Sequence, residues 1–184
     1  MQADIQKLRR RPFFLPLAMP IALLALVILA SIWLLDARNN TVFILVRNAE
    51  VEQTLDVSPG LNEFGKDRAR SLLDFLSQLK PGRSIDAVYA IESVPAQQTA
   101  SPLASKMGVA INVLALGGAN SHLSDIRDNH AGEVVLVVAS REKIIGLLSE
   151  VSGQSWSIEE GDYASLFVVN QSRLSKSSVI RFKY

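Results

Sequence analysis

The chain has 184 residues, 48% of them hydrophobic, which leaves room for one membrane segment and one domain of ordinary size but not for two large domains. Its 19 Lys and Arg nearly cancel its 18 Asp and Glu, for a formal net charge of +1; a nucleic-acid binder would carry a strongly basic face, so no nucleic-acid partner is expected. Cysteine is absent, which rules out disulfides, thiolate metal sites and a cysteine nucleophile.

Residues 1–12 form a basic tail with Lys7, Arg9, Arg10 and Arg11. From Phe13 to Leu35 there is no formal charge, and at about 1.5 Å per residue this is roughly 34 Å of helix, enough to cross a hydrocarbon core of roughly 30 Å. Pro16 and Pro20 fall in its first turns, where proline disrupts least. Asp36 and Arg38 nearly cancel beyond it, so the positive-inside bias places the N-terminus in the cytoplasm. The expectation is a single-pass protein of the inner or plasma membrane whose remainder is extracytoplasmic, periplasmic in a Gram-negative cell. A cleaved signal peptide is the competing reading. The apolar stretch exceeds the roughly 7–15 residues of a signal h-region and Trp33-Leu34-Leu35 precedes no Ala-x-Ala site, so the retained anchor is preferred.

Residues 36–40 read as a short polar hinge and 41–184 as one domain. Thr41 to Val46 is apolar on both faces and rich in β-branched residues, as in a central strand covered on both sides. A helix follows from Asn62 to Leu79, with Ala69, Leu72, Leu73, Leu76 and Leu79 on one stripe, ended by Lys80-Pro81-Gly82. Ile85 to Ala90 is a second strand, Val94 to Lys106 a helix stopped by Gly108, and Val109 to Leu114 a short third strand. Gly117-Gly118 opens a polar loop to Gly132, with room for one helical turn, that holds both histidines, His122 and His130. Val134 to Val138 is a buried strand, Arg141 to Val151 an amphipathic helix, and strands near Ala164–Asn170 and Ser178–Phe182 close the domain. Alternation of helices with wholly apolar strands predicts an α/β fold, a three-layer α/β/α sandwich.

The tetrapeptide Arg47-Asn48-Ala49-Glu50 at the end of the first strand resembles the Arg-His-Gly or Arg-His-Ala signature, usually followed by Glu, of the phosphoglycerate-mutase-like histidine phosphatases. Leu61-Asn62-Glu63-Phe64-Gly65 is similar to that family's Leu-Thr-x-x-Gly. The run Ala96-Gln97-Gln98-Thr99-Ala100-Ser101-Pro102-Leu103-Ala104 resembles its Gln-Thr-Ala and Pro-Leu-Ala segment. Val135-Leu136-Val137-Val138-Ala139-Ser140-Arg141 looks like its Val-Leu-Val-Val-Ser/Gly-His-Gly. The resemblance spans nearly all of residues 41–184 and implies that family's sandwich. It also implies a departure: the two catalytic His become Asn48 and Ser140, and the second phosphate-binding Arg becomes Pro95. A carboxamide is neither nucleophilic nor titratable near neutrality, so Asn48 cannot carry a phosphoryl group.

Of the four basic groups the resemblance implies, only Arg47 matches, so Arg47, Asn48, Ser140 and Arg141 are at most an anion-binding set. Each has a structural reading too. Asn48 either contacts a ligand or satisfies backbone groups at a strand end; Arg47 either binds an anion or pairs with Glu50. Ser140 and Arg141 either seat an anion at a helix N-terminus, or Ser140 merely caps it, which is the commoner use. His122 and His130 are expected to be ordinary surface residues without metal-ligand spacing, and Trp156 and Tyr163 cover over the sheet edges. No metal or cofactor is implied. The leading expectation is a membrane-anchored protein of that family's fold without phosphatase or mutase activity, binding a protein partner or a phosphate-like anion. A divergent phosphomonoester hydrolase with a rearranged site and a structural subunit of a membrane assembly are the alternatives.

Overall fold

The computed structural model describes residues 15–38, 40–56, 58–78, 84–115, 122–171 and 177–184. The basic tail, Lys80-Pro81-Gly82 and Gly117-Gly118 lie outside them. The chain divides into two units, Met1–Ala37 and Arg38–Tyr184.

The first unit is helix α1, Leu15–Arg38. It continues through Asp36 and Arg38, so the expected hinge is shorter than residues 36–40. Met19, Ile21, Leu24, Val27, Leu29 and Ile32 are all exposed, and these positions go round the helix rather than forming one stripe. Among the described residues no helix is long and apolar enough to cross a membrane; the side chains described in α1 are those of residues 19–34, about 24 Å of rise.

The second unit is built on one six-stranded sheet of order β3-β2-β4-β1-β5-β6. Its strands are β1 Thr41–Arg47, β2 Ala87–Ile91, β3 Ile111–Leu114, β4 Val134–Ala139, β5 Ser165–Gln171 and β6 Ser178–Lys183. The first four run parallel; β5 runs against them, and β6, antiparallel to β5, runs with them. The four helices are α2 Glu63–Ser77, α3 Val94–Met107, α4 His122–Asn129 and α5 Arg141–Ser152. β4 is buried at every position, and β1 is flanked by β4 and β5, so the two longest apolar runs lie at the centre of the sheet, as expected of strands covered on both faces.

Right-handed crossovers put α2 and α3, on the leftward connections β1 to β2 and β2 to β3, on one face of the sheet, and α4 on the other. Ring contacts mark the same two faces at the far end. Phe75 of α2 meets Tyr184, whereas Trp156 after α5 meets Phe167 edge-on; Phe167 and the residue facing Tyr184 differ in strand parity, and alternate residues point to opposite faces. The result is the expected α/β/α sandwich.

Most boundaries differ from the sequence reading by one or two residues, which is where helix ends fray. One element differs in kind. The loop expected between Gly117 and Gly132 contains α4, a two-turn helix held by Leu123 and Ile126, both almost fully buried.

Candidate functional site

The register of the sheet brings Asn48, Pro95 and Ser140 to one edge. Arg47 pairs with Ala139, so Asn48 and Ser140 each follow a paired residue at the C-terminal ends of adjacent parallel strands. Ala90 of β2 pairs with Val138, so Pro95, in the first turn of α3, lies beyond the same edge. Ligands of open α/β sheets bind in the crevice outside these carboxyl ends. A cavity of about 320 Å³ opens there, lined by Ile91, Leu114, Ala115, Ser140, Glu142 and Lys143.

The backbone of the Arg47–Glu50 segment is clamped from three sides. Asn48 N–H donates to Ala139 O at 2.9 Å, and Ala49 N–H donates to the Thr99 hydroxyl at 3.0 Å, which itself donates to Pro95 O at 2.7 Å. Asn62 N–H donates to Glu50 O at 3.1 Å. Asn62 also caps α2, its Oδ1 accepting from Gly65 N at 2.8 Å while its Nδ2 donates to Val51 O at 3.1 Å. Gln98 Oε1 accepts from Leu61 N–H at 2.7 Å. The motif residues Asn62, Gln98 and Thr99 therefore serve the backbone of the site and not its chemistry.

The side chains of the expected anion set are engaged within the protein. Asn48 is half-buried and its Nδ2 donates to Ala49 O at 3.1 Å. Arg47 does not pair with Glu50. Its guanidinium donates to Glu160 O and lies over the Tyr163 ring, 3.8 Å from the centroid, a cation–π arrangement. The strand ends at Arg47 and the chain turns, so the guanidinium and the Glu50 carboxylate leave in different directions. Tyr163, expected as edge cover, is thus a platform for Arg47.

Glu50 instead takes a guanidinium that the sequence reading missed. Arg68 on α2 donates from Nε and Nη2 to the Glu50 carboxylate at 2.6–2.9 Å, a bidentate pair with only 18% of the Glu50 side chain exposed. Burial raises the Glu50 pKa, but the Arg68 hydrogen bond, a backbone N–H and the charges of Arg68 and Arg47 outweigh it and hold the carboxyl below its ordinary 4.5. The pair is therefore fully stabilising above pH 4.5 and is lost as the pH falls through the lower folded value. Glu50→Gln should cost about 1–2 kcal/mol at pH 7, and urea denaturation of both proteins should show that difference shrinking toward zero below pH 4.

Ser140 caps α5, its hydroxyl accepting from Lys143 N at 3.3 Å. Arg141 donates to Glu142 at 3.1 Å and to Ile158 O at 3.2 Å. Glu142 is held below its ordinary pKa first by its own backbone N–H, against a smaller effect of burial, and then by the Ser140 hydroxyl and Arg141. The positive end of α5 thus already has a carboxylate of the chain beside it. Arg47, the last residue of β1, and Arg141, the first of α5, both bond carbonyls of the 158–160 segment and so strap it across the edge.

The histidines differ from the simple loop residues expected. His122 opens α4, and its side chain lies outside the described residues. His130 Nδ1 meets Glu133 Oε2 at 2.6 Å and Nε2 meets the Tyr89 hydroxyl at 2.9 Å. Thr41, the first residue of β1, donates to His130 O at 2.9 Å, so His130 sits at the opposite end of β1 from Arg47, about 20 Å away at the rise of a strand. Among the described residues no group of three or more metal-ligating side chains occurs.

Comparison with solved structures decides the fold. The protein histidine phosphatase SixA in complex with tungstate superposes with a TM-score of 0.65 at 14% identity, over 77% of this chain and 96% of that one. This chain has the histidine-phosphatase fold. A mycobacterial glucosyl-3-phosphoglycerate phosphatase in complex with VO3 matches with a TM-score of 0.60 at 10% identity, over 78% of this chain and 98% of that one. A protein ascribed to SixA of Agrobacterium tumefaciens matches with a TM-score of 0.56 at 16% identity, over 78% and 98% of the two chains. No known family profile and no curated sequence matches the chain. The fold is the one the motif resemblance led one to expect, here at 10–16% identity to the solved structures compared.

Proposed function

We propose that this protein is a histidine-phosphatase fold emptied of phosphoryl transfer, anchored in a membrane by residues 13–35, that acts by binding a protein partner or a phosphate-like anion. The observation that carries this reading is the state of the strand-end edge. Asn48, Pro95 and Ser140 stand where the fold's chemistry needs imidazole, guanidinium and imidazole, and Arg47 is tied to Glu160 and Tyr163. A nucleophile must have a base in reach, and His130 is at the other end of the strand.

Two of the similar solved structures are complexes with oxyanions, tungstate and VO3, which supports an anion as ligand; the cavity at the strand-end edge has Ser140 and Lys143 beside Glu142. The anchor rests on the charge-free run from Phe13 to Leu35 and on a helix that is apolar all round, which water does not favour for an isolated helix. The basic tail supports a cytoplasmic N-terminus, with the domain outside the cytoplasm.

Loss of the nucleophile alone can cost about 10⁶-fold in turnover. Full-length protein in detergent should accordingly hydrolyse p-nitrophenyl phosphate no faster than buffer. Hydrolysis that disappears in Asn48→Ala or Arg47→Ala would refute the reading. Extraction of the protein from membranes by alkaline carbonate would refute the anchor.

A further inference from the structure

A second cavity opens at the far end of α5, about 18 Å along the helix from Ser140. Its volume is about 590 Å³, within the roughly 300–1,000 Å³ of small-molecule sites. Here α5 stops at Gly153, whose N–H donates to Ser149 O at 2.9 Å. Trp156 lines one side, and Ser177 and Val179, at the start of β6, line another. Val179 pairs with Val169 and so shares the sheet face of Phe167, on which Trp156 rests. Ser152 fixes this wall. Its hydroxyl has one proton and two lone pairs, and all are engaged: it donates to Leu148 O at 2.7 Å and accepts from Trp156 Nε1 at 2.7 Å and from Gln154 N–H at 3.2 Å. The indole is held further by Phe167, which it meets edge-on with 5.8 Å between centroids.

We propose that this cavity binds a neutral pyranose sugar, with Trp156 as its stacking wall and Gln154 and Ser177 as its hydrogen-bonding partners. The lining selects the class. Among the described residues that line the cavity none is charged, so an ionic ligand would lose its hydration without gaining a counter-charge. A wholly apolar ligand would fit the indole and Val179 but would leave the Gln154 carboxamide, and the carbonyls that a helix presents at its last turn, without partners. A cation would suit those carbonyls and the indole face, yet the amide and hydroxyl donors of Gln154 and Ser177 would find no acceptor on it. A pyranose satisfies every part. Its C–H face, weakly positive, lies against the negative face of the indole. Its hydroxyls both donate to carbonyls and accept from the carboxamide. The cavity and the strand-end edge lie at opposite ends of α5, so the sugar site does not rest on the anion reading given above.

The chain has two tryptophans, Trp33 in α1 and Trp156, so fluorine NMR of the full-length protein labelled with fluorotryptophan carries its own control. The detergent must be one without a sugar headgroup. Methyl β-glucopyranoside should shift the Trp156 resonance saturably, with a Kd on the order of 1 mM for a ligand of this size, and leave that of Trp33 in place. Gln154 is exposed and neither it nor Ser177 belongs to the core, so Gln154→Ala and Ser177→Ala should fold as the unmodified chain does. Each should weaken the sugar by about threefold or more, the loss of one hydrogen bond. Choline chloride should leave Trp156 unmoved. Absence of a saturable Trp156 shift with the sugar, a response to choline as large as that to the sugar, or affinity unchanged in both variants would overturn the proposal.

Discussion

Gly65→Ala should lower the stability of the domain by about 3 kcal/mol or more, the upper end of what overpacking costs, and the midpoint of thermal unfolding by about 10 °C for a domain of this size. A Cβ at position 65 would lie 2.1 Å from the carbonyl oxygen of Glu50. That oxygen belongs to backbone held by the hydrogen bond from Asn62, so it cannot swing away as a side-chain tip would. No unusual dihedral is involved; glycine is needed because two main chains approach each other. Scanning calorimetry of the variant checks the size of the effect. A smaller substitution cost, below 1 kcal/mol, would mean that the Glu50 segment yields, contrary to its clamped geometry.

Thr99→Val should cost about 2–3 kcal/mol, since the replacement keeps the shape and removes the hydroxyl. Thr99 is fully buried, and its oxygen is the acceptor for Ala49 N–H. An unsatisfied buried donor costs about 1–3 kcal/mol by itself, and the hydrogen bond to Pro95 O is lost with it. Thr99→Ser, which keeps the oxygen, should recover most of the loss. The comparison by urea denaturation separates the hydrogen bonds from packing. Greater destabilisation by Ser than by Val would show that the missing methyl and not the hydroxyl matters.

The parts of the fold that could be read from residues alone are those with a strong period or a wholly apolar run. Val134 to Val138 and Thr41 to Val46 are legible because nothing polar interrupts them, and the caps Asn62 and Ser140 because a short acceptor before an amphipathic stretch has one cheap use. Helix α4 is not legible as a helix of its own: His122–Asn129 offers only Leu123 and Ile126 to the core, too few to set a period against six polar neighbours. The contact of Arg68 with Glu50 joins residues on different elements, and sequence proximity favoured Arg47 instead. The 158–163 strap has no periodicity at all; its course is set by the two guanidiniums that grip its carbonyls, a long-range effect that no local pattern announces.

The clamp around the tetrapeptide has a consequence for how such a protein could arise. Thr99, Asn62 and Ala139 hold main-chain atoms of the segment, and none of these hydrogen bonds goes to a side-chain atom of residue 48. Display is thereby decoupled from support: the occupant of this position can be exchanged without unravelling the shelf on which it stands. On the function proposed above, a lineage that shed the reacting group still inherited the rigid ledge for recognition.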